Sequence, residues 1–234
     1  MNSSSLARRW RLCVAGLSLT LAGGCGALHP TATPRSSFYS LDGGRTEARA
    51  AMRAPATLSM AAPTLIVNPS YAASGFDSQR IIYVREAHKL EYYAHNEWVD
   101  TPARMLAPLI VAAVENSGMF RAVVLTPSAA AGDLRLDTEI LRLQQEFGSQ
   151  PSHVRFTLRA YLVDNKTRRV LARREFDETV AAASEDPYGG VVAANRAVQA
   201  VLEHLASFCT EAARDWQPPV AEVPKRTEGS LLGR

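Results

Sequence analysis

Three long alternating segments in the second half of the chain constrain the fold more than any other feature. They read DLRLDTEILRLQQEF, HVRFTLRAYLVD and RRVLARREFDETV, within residues 133–180. In the second segment, apolar residues from Val154 to Leu162 alternate with polar ones, as in a strand with one buried and one solvated face. In the first segment the alternation slips at Ile140–Leu141, which predicts a β-bulge. The segments are joined by short links, so we expect an antiparallel meander.

Shorter strands precede the meander. The motif FYSL (Phe38–Leu41) predicts a strand that ends at Asp-Gly-Gly, and the apolar run Leu65–Val67 predicts a buried strand halted by Pro69. Two further runs, RIIYVR and KLEYYA, flank Glu86-Ala87-His88, which is a plausible hairpin connection.

Two amphipathic helices complete the expected fold. The first begins at Thr101-Pro102 and ends near Gly118, with Pro108 inside its apolar pattern. The second runs from Asp186-Pro187 to about residue 214, and Cys209 lies on its apolar stripe, which favours a small core residue over a reactive thiol. We therefore predict an α+β fold: an antiparallel (mixed) sheet with two main helices packed on one face.

The N-terminus has the composition of a bacterial export signal. A cluster of three arginines at positions 8, 9 and 11 precedes the uncharged stretch Leu12–Ala22, which at about eleven residues is shorter than the ~20 needed to span a bilayer. The motif AGGC that ends at Cys25 resembles the lipobox of bacterial lipoproteins, although Ala22 stands where Leu is usual. The resemblance implies removal of residues 1–24 and acylation of Cys25. An ordinary secretory signal that happens to contain this cysteine is the alternative.

The cysteine count argues against a disulfide framework, and composition divides the rest of the chain into a tether, a folded domain and a tail. Of three cysteines, Cys13 lies in the signal and Cys209 would stand alone once Cys25 carries lipid, although a Cys25–Cys209 bridge stays open. Residues 25–37, rich in Pro, Thr and Ser, are the expected lipidated N-terminus and tether, residues 38–216 the folded domain, and residues 217–234 a disordered tail. Residues 25–234 have balanced charge, since the signal holds three of the 26 basic residues against 23 acidic ones, so composition gives no reason to expect nucleic-acid binding.

No motif for catalysis or cofactor binding is present. The chain contains no nucleophile elbow, phosphate-binding loop, dinucleotide fingerprint or zinc-protease motif. Its five histidines are scattered, and the closest pair, His88 and His95, has no acidic or thiol partner at ligand spacing. We expect no catalytic residue, no metal and no cofactor beyond a covalent lipid on Cys25. A site assembled from distant residues would escape this search.

Aromatic and basic residues concentrate in residues 80–98. Tyr92 and Tyr93 are adjacent on one predicted strand, so their side chains point to opposite faces and one is left available to a partner. Core packing is the simpler interpretation for Trp98 and for one of the tyrosines. The residues that we predict to contact a partner are Arg80, Tyr83, Arg85, Tyr92 and Trp98.

The order of these elements resembles the ABC-type transport auxiliary lipoproteins. The resemblance covers about residues 36–213 and rests on FYSL, the buried strand Leu65–Val67, the segment DSQRI (residues 77–81), the Tyr92/Tyr93 pair with Trp98 after it, and the helix that contains Pro108. Four residues, Val-Asp-Thr-Pro, follow Trp98 where the family usually has a closer proline.

The resemblance implies a function without catalysis. It implies an auxiliary lipoprotein of an MCE-type lipid transporter, partnered with an MCE-domain protein, a permease and an ATPase. Gly26, rather than Asp, follows Cys25, and the resemblance therefore favours an anchor on the periplasmic face of the outer membrane. A homo-oligomer stays open. The alternatives are an assembly lipoprotein of another outer-membrane export or secretion machine and a periplasmic lipid-binding protein.

Overall fold

The structure, a computed structural model, describes residues 35–42 and 62–217, which form a nine-stranded mixed sheet with two helices. The strands are β1 (Ser37–Tyr39), β2 (Thr64–Val67), β3 (Tyr71–Ala72), β4 (Arg80–Val84), β5 (Glu91–Trp98), β6 (Ala122–Leu125), β7 (Leu134–Glu146), β8 (His153–Asp164) and β9 (Val170–Ala181). The helices are α1 (Pro102–Glu115) and α2 (Pro187–Ala213). Both helices pack against the sheet and against each other. The predicted α+β class is confirmed.

Strand β7 is the centre of the sheet. One of its edges pairs with β8 in antiparallel fashion, and its other edge is shared end to end by β2, β3 and β4, all parallel to it. Strand β6 extends the sheet beyond β2, while β5 and then β1 extend it beyond β4. The sheet is therefore mixed because three short early strands align along one late strand.

The predicted meander is confirmed. Strands β7, β8 and β9 pair consecutively and antiparallel, and the β7–β8 register shifts between Ile140 and Arg142, where the sequence predicts a bulge. On the helix side of β8 five apolar side chains are buried, namely Val154, Phe156, Leu158, Ala160 and Leu162. The apolar stripe of α2 covers them, and Cys209 on that stripe is fully buried, which confirms it as a core residue.

The opposite face of the sheet, here called the open face, carries charged side chains in ion pairs. The Arg155 guanidinium binds Asp177 through both carboxylate oxygens, and the Thr157 hydroxyl donates a third hydrogen bond at 2.8 Å. Together these donors lower the pKa of Asp177 to about 2, chiefly through the bonds from Arg155. Arg159 lies between Glu139 and Glu175, 3.2 Å from each. The alternation of β8 therefore separates a buried from a solvated face, as predicted.

The helix ends follow the sequence signals closely. Helix α1 begins with Pro102 after Thr101, continues through Pro108, and is followed by Gly118 at φ +68°. At the start of α2 the Asp186 carboxylate accepts a hydrogen bond from the Gly189 N–H at 2.7 Å, an N-cap that lowers its pKa. Within the described ranges, neither helix combines the length and apolar character needed to cross a membrane.

Several sequence predictions concern other parts of the chain. The signal in residues 1–24, the acylated Cys25 and all of the tail beyond residue 217 lie outside the described residues, as does most of the tether. They stay predictions.

Candidate partner-binding surface

The aromatic and basic residues lie on a β-hairpin formed by β4 and β5. The two strands are antiparallel, with Ile82 opposite Tyr92 and Tyr83 opposite Glu91, and the turn between them contains Glu86–His88 as predicted. Residues directly opposite each other in such a pair share a face of the sheet. Tyr92 therefore lies on one face of the hairpin, and Tyr83 lies on the other.

The Tyr83 face is turned toward α2. The ring of Tyr93 packs 4.6 Å from that of Tyr83, centroid to centroid, and Phe147 meets Tyr83 edge-on at 5.8 Å. The Tyr93 hydroxyl donates to Gln145 Oε1 at 3.0 Å, and burial raises the pKa of Tyr93 to about 12. These aromatic rings fix the hairpin to the rest of the domain.

The acceptor of that bond, Gln145, is itself buried. Its Nε2 donates to the Ser152 hydroxyl at 2.9 Å, so one side chain joins the hairpin to the start of β8. A Cβ atom at Gly190 would lie only 2.2 Å from Gln145 Oε1. Helix α2 thus approaches β7 closely at this point because position 190 has no side chain.

On the other face, Tyr92 and Arg80 form an exposed pair that we call the Tyr92–Arg80 platform. Tyr92 is 50% exposed, and the Arg80 guanidinium carbon lies 4.1 Å from the centre of its ring. At this distance a cation–π interaction holds the guanidinium over the aromatic ring. Of the two adjacent tyrosines, Tyr92 is thus the exposed one, and its contact with a partner stays a prediction.

Arg85, near the hairpin turn, has a partner within the chain. Its guanidinium donates two hydrogen bonds to the Glu91 carboxylate, at 2.6 and 2.9 Å. These bonds raise the pKa of Arg85 and lower that of Glu91. Arg85 also lies 5.4 Å from the ring centre of half-buried Tyr83. Arg85 and Tyr83 therefore border the hairpin surface with their positions already fixed by neighbours.

Trp98 requires a correction as a contact residue. It is 3% exposed and belongs to the core, at the end of β5 where Tyr39 of β1 is its register partner. Its backbone N–H donates to the Gln79 carbonyl at 2.7 Å. The core-packing interpretation holds for Trp98, because β1 and the core cover it, so a partner cannot reach it.

Three exposed aromatic residues of the described chain lie outside the predicted contact set, namely Phe38, Tyr71 and Tyr188, and two of them lie together. Phe38 on β1 and Tyr188 in the first turn of α2, 62% and 63% exposed, line an open cleft between these elements together with Val192 and Arg196. The sequence gives only a weak signal that Tyr188 is exposed, because this residue lies beside the helix cap, where the apolar stripe of α2 begins. Phe38 lies in the motif FYSL but is far from Tyr188 along the chain. Only the fold brings them together.

The described residues contain no cluster suited to a metal. No group of three or more His, Cys, Asp or Glu side chains in residues 35–42 and 62–217 is placed to hold an ion. The candidate site is the Tyr92–Arg80 platform on the β4–β5 hairpin, an aromatic side chain with a cationic one beside it.

Comparison with known proteins gives a family. A family model described as the ABC-type transport auxiliary lipoprotein component matches residues 39–206. No curated protein matches the chain significantly. Among solved structures, protein XCC0632 from Xanthomonas campestris (family DUF330) is similar at 25% identity, with a TM-score of 0.61 over 65% of this chain and 86% of that one. An uncharacterized protein matches at 11% identity with a TM-score of 0.57, over 75% of this chain and 99% of that one, and supports the fold alone. Because this family model matches most of its length, the chain belongs to the ABC-type transport auxiliary lipoproteins.

Proposed function

We propose that this protein is a non-catalytic, outer-membrane-anchored lipoprotein that docks an MCE-type lipid transporter, with its permease and ATPase, at the periplasmic face of the outer membrane. Family membership supports the role in ABC-type transport. The observation that carries the docking surface is the Tyr92–Arg80 platform, which stays exposed on a hairpin that is otherwise anchored to the core.

The anchor in this proposal is Cys25. Each buried methylene of an acyl chain contributes about 0.8 kcal/mol, so several chains on one cysteine hold a protein firmly at a membrane. The absence of Asp at position 26 favours the outer membrane. The domain is then confined near one membrane, which raises its effective concentration for a partner that spans the periplasm.

The platform has the chemistry of an interface centre. Tyrosine and arginine are the residue types that most often dominate binding energy at protein interfaces. The stacking of Arg80 on Tyr92 restricts both side chains before a partner arrives, so less conformational entropy is lost on binding. Arg85 and Tyr83 lie on the other face of the hairpin and are therefore outside the platform; of the two, Arg85 remains largely exposed although it binds Glu91.

Single substitutions on the platform test the docking surface. We expect Tyr92→Ala, and separately Arg80→Ala, to weaken copurification of the transporter from solubilised membranes. A residue that contributes about 2 kcal/mol at an interface gives roughly 30-fold weaker binding when removed. Tyr83→Ala is a poorer test because it also removes the packing against Tyr93 and Phe147.

The matched control is Tyr188→Ala, which removes an equally exposed tyrosine from the cleft beside β1. It should leave copurification unchanged. Undiminished copurification by both platform variants would count against the proposed surface, and a loss with Tyr188→Ala alone would transfer the contact to the cleft.

The anchor is tested separately. We expect the wild-type chain to incorporate labelled palmitate and to sediment with outer membranes, and Cys25→Ser to lose both properties. If the Cys25→Ser protein still sediments with outer membranes, the lipid-anchor model is wrong.

The cleft favours one alternative function, a periplasmic lipid-binding protein. Its lining includes the apolar side chains of Phe38, Tyr188 and Val192, which suit an acyl chain, and both charges, Arg196 and Asp42, which suit a polar headgroup. Native mass spectrometry of protein purified without detergent would detect such a lipid. Genes for a permease, an ATPase and an MCE protein beside this one would favour the transporter over another export or secretion machine.

A further inference from the structure

We propose that two copies of this chain associate through their β9 strands, antiparallel about a two-fold axis at Glu175, so that the two sheets become continuous. The partner is a second copy of the chain. Three features of β9 support this inference: a long free backbone edge, the absence of proline and of a covering element along that edge, and a self-complementary order of charges.

Strand β9 has twelve residues and pairs only with β8 among the described strands. Just beyond its end, the Ala182 N–H donates to the Ser152 carbonyl at 2.8 Å, in the register of the β8–β9 pairing. In an antiparallel ladder, residues whose backbone groups bond to the neighbouring strand alternate with residues whose groups point away from it. The even-numbered residues of β9 therefore bond to β8. From Arg173 to Thr179, the odd-numbered residues direct their N–H and C=O groups to the free edge.

Only some of the common protections of an edge strand are present here. Edges are usually blocked by proline, by a short or bulged strand, by a covering helix, or by charged side chains. Strand β9 is bulged only at its start and does carry charged side chains, but they are of both signs and can therefore pair with a second copy. Strand β9 contains no proline, and its pairing with β8 is regular from residue 172 to its end. Helix α2 packs on one face of β9, where Arg174 binds Glu211 and Glu178 binds His204, and the edge itself remains unpaired within the described chain.

The charges of β9 are divided by sign along the strand. Positive side chains occupy the turn and the first half, at positions 168, 169, 173 and 174, and negative ones follow at 175, 177 and 178. Antiparallel pairing of two copies places the positive half of each against the negative half of the other. Parallel pairing would oppose like charges, which is destabilising. The order of charges thus selects the antiparallel arrangement.

Charge pairing also selects a register. With the axis at Glu175, Arg173 of each copy lies opposite Asp177 of the other, and the three central pairs form about six backbone hydrogen bonds. An axis at Phe176 would oppose Glu175 to Asp177 twice. An axis at Arg174 would place the two Arg174 residues in the closer, non-hydrogen-bonded type of pair. At the chosen axis the two Glu175 residues lie opposite each other. Arg159 of each copy stays bound to the Glu175 carboxylate of the same copy and offsets its charge.

Disulfide trapping tests this register directly in the full chain. We expect Glu175→Cys to form a covalent dimer in membranes of expressing cells under mild oxidation, since Cα atoms in a hydrogen-bonded pair are about 5.5 Å apart, within disulfide range. Arg173→Cys and Thr179→Cys are matched controls on the same face. Each would lie about 14 Å or more from its own copy, too far to bridge, so we expect at least tenfold less dimer. The chain without an added cysteine is the control for any covalent dimer formed through Cys25 or Cys209.

A second measurement does not depend on added cysteines. The wild-type chain, purified in detergent, should show a concentration-dependent dimer by sedimentation, and Arg173→Asp should weaken it at least tenfold because each new Asp faces Asp177 of the other copy. Unchanged circular dichroism and melting temperature of the variant would confirm that it folds. A strictly monomeric wild type, equal trapping at all three positions, strongest trapping at a control position, or a dimer insensitive to Arg173→Asp would each overturn the proposal.

Discussion

Replacing Gly190 by alanine tests how the hairpin is held against the helix layer. The new methyl carbon would lie 2.2 Å from Gln145 Oε1 and 2.9 Å from its Cδ, so the Gln145 side chain must move. A long side chain usually moves at little cost. Gln145 is different because it is buried and its amide bonds Tyr93 at 3.0 Å and Ser152 at 2.9 Å.

The expected magnitude follows from opposing effects. Alanine is favoured over glycine inside a helix by about 1 kcal/mol. Displacing the amide breaks two hydrogen bonds and leaves buried polar groups unsatisfied, at about 1–3 kcal/mol for each group. The loss exceeds the gain, so we expect Gly190→Ala to lower the free energy of unfolding by about 1–3 kcal/mol.

A double-mutant cycle measured by urea unfolding with circular dichroism gives the decisive result. In a Gln145→Ala background the obstruction is gone, so Gly190→Ala should stabilise that variant by up to about 1 kcal/mol. The effect of the same substitution therefore changes sign with the residue at position 145. If Gly190→Ala stabilises the protein in both backgrounds, the close approach between Gly190 and Gln145 does not constrain the fold as described.

Two further predictions concern single ionisable side chains. Burial raises the pKa of Cys209 to about 12, so its thiol should resist alkylation in the folded protein at pH 8 and react on addition of urea; rapid labelling without urea would contradict its burial. Asp177→Asn should lower stability by about 1 kcal/mol at neutral pH, a figure reduced for the partial exposure of the ion pair with Arg155. Because the folded-state pKa of Asp177 is about 2, below its ordinary value, this contribution is complete above about pH 4 and is lost as the pH falls through 2. Asp215→Asn, at an exposed site after α2, serves as the control, and an Asp177→Asn effect that persists undiminished at pH 2 would contradict the assignment.

Local pattern was enough to predict the long elements of the fold. The meander, its bulge after Ile140, the β4–β5 hairpin and both helices each have a periodicity or an end signal within a short stretch of chain. The same pattern could not show that β2, β3 and β4 share one edge of β7. Strand alternation reports which side chains face the core and carries no information about which distant strand supplies the hydrogen bonds.

The candidate site, too, was only partly predictable from the sequence. Alternation places Tyr92 and Tyr93 on opposite faces, but only the packing of Tyr93 on Tyr83 and its bond to Gln145 decide which of the two is buried. The sequence misplaces Trp98 as a contact residue because its burial depends on segments distant in the chain, among them α2 and β7. The cleft between Phe38 and Tyr188 has the same origin in distant segments.

The central position of β7 has a consequence for how the molecule folds. Strands β2 and β3 are synthesised before the strands with which they pair. Strand β2 pairs with β6 and β7, and β3 pairs with β7, which comprises residues 134–146. During synthesis, β2 and β3 therefore lack their partner β7, and the apolar segment Leu65–Val67 stays uncovered until that strand follows. The β4–β5 hairpin and helix α1 need only local contacts, so we expect β2 and β3 to complete their pairing last, once β7 is available. A holding chaperone would find its binding sites in the earliest strands.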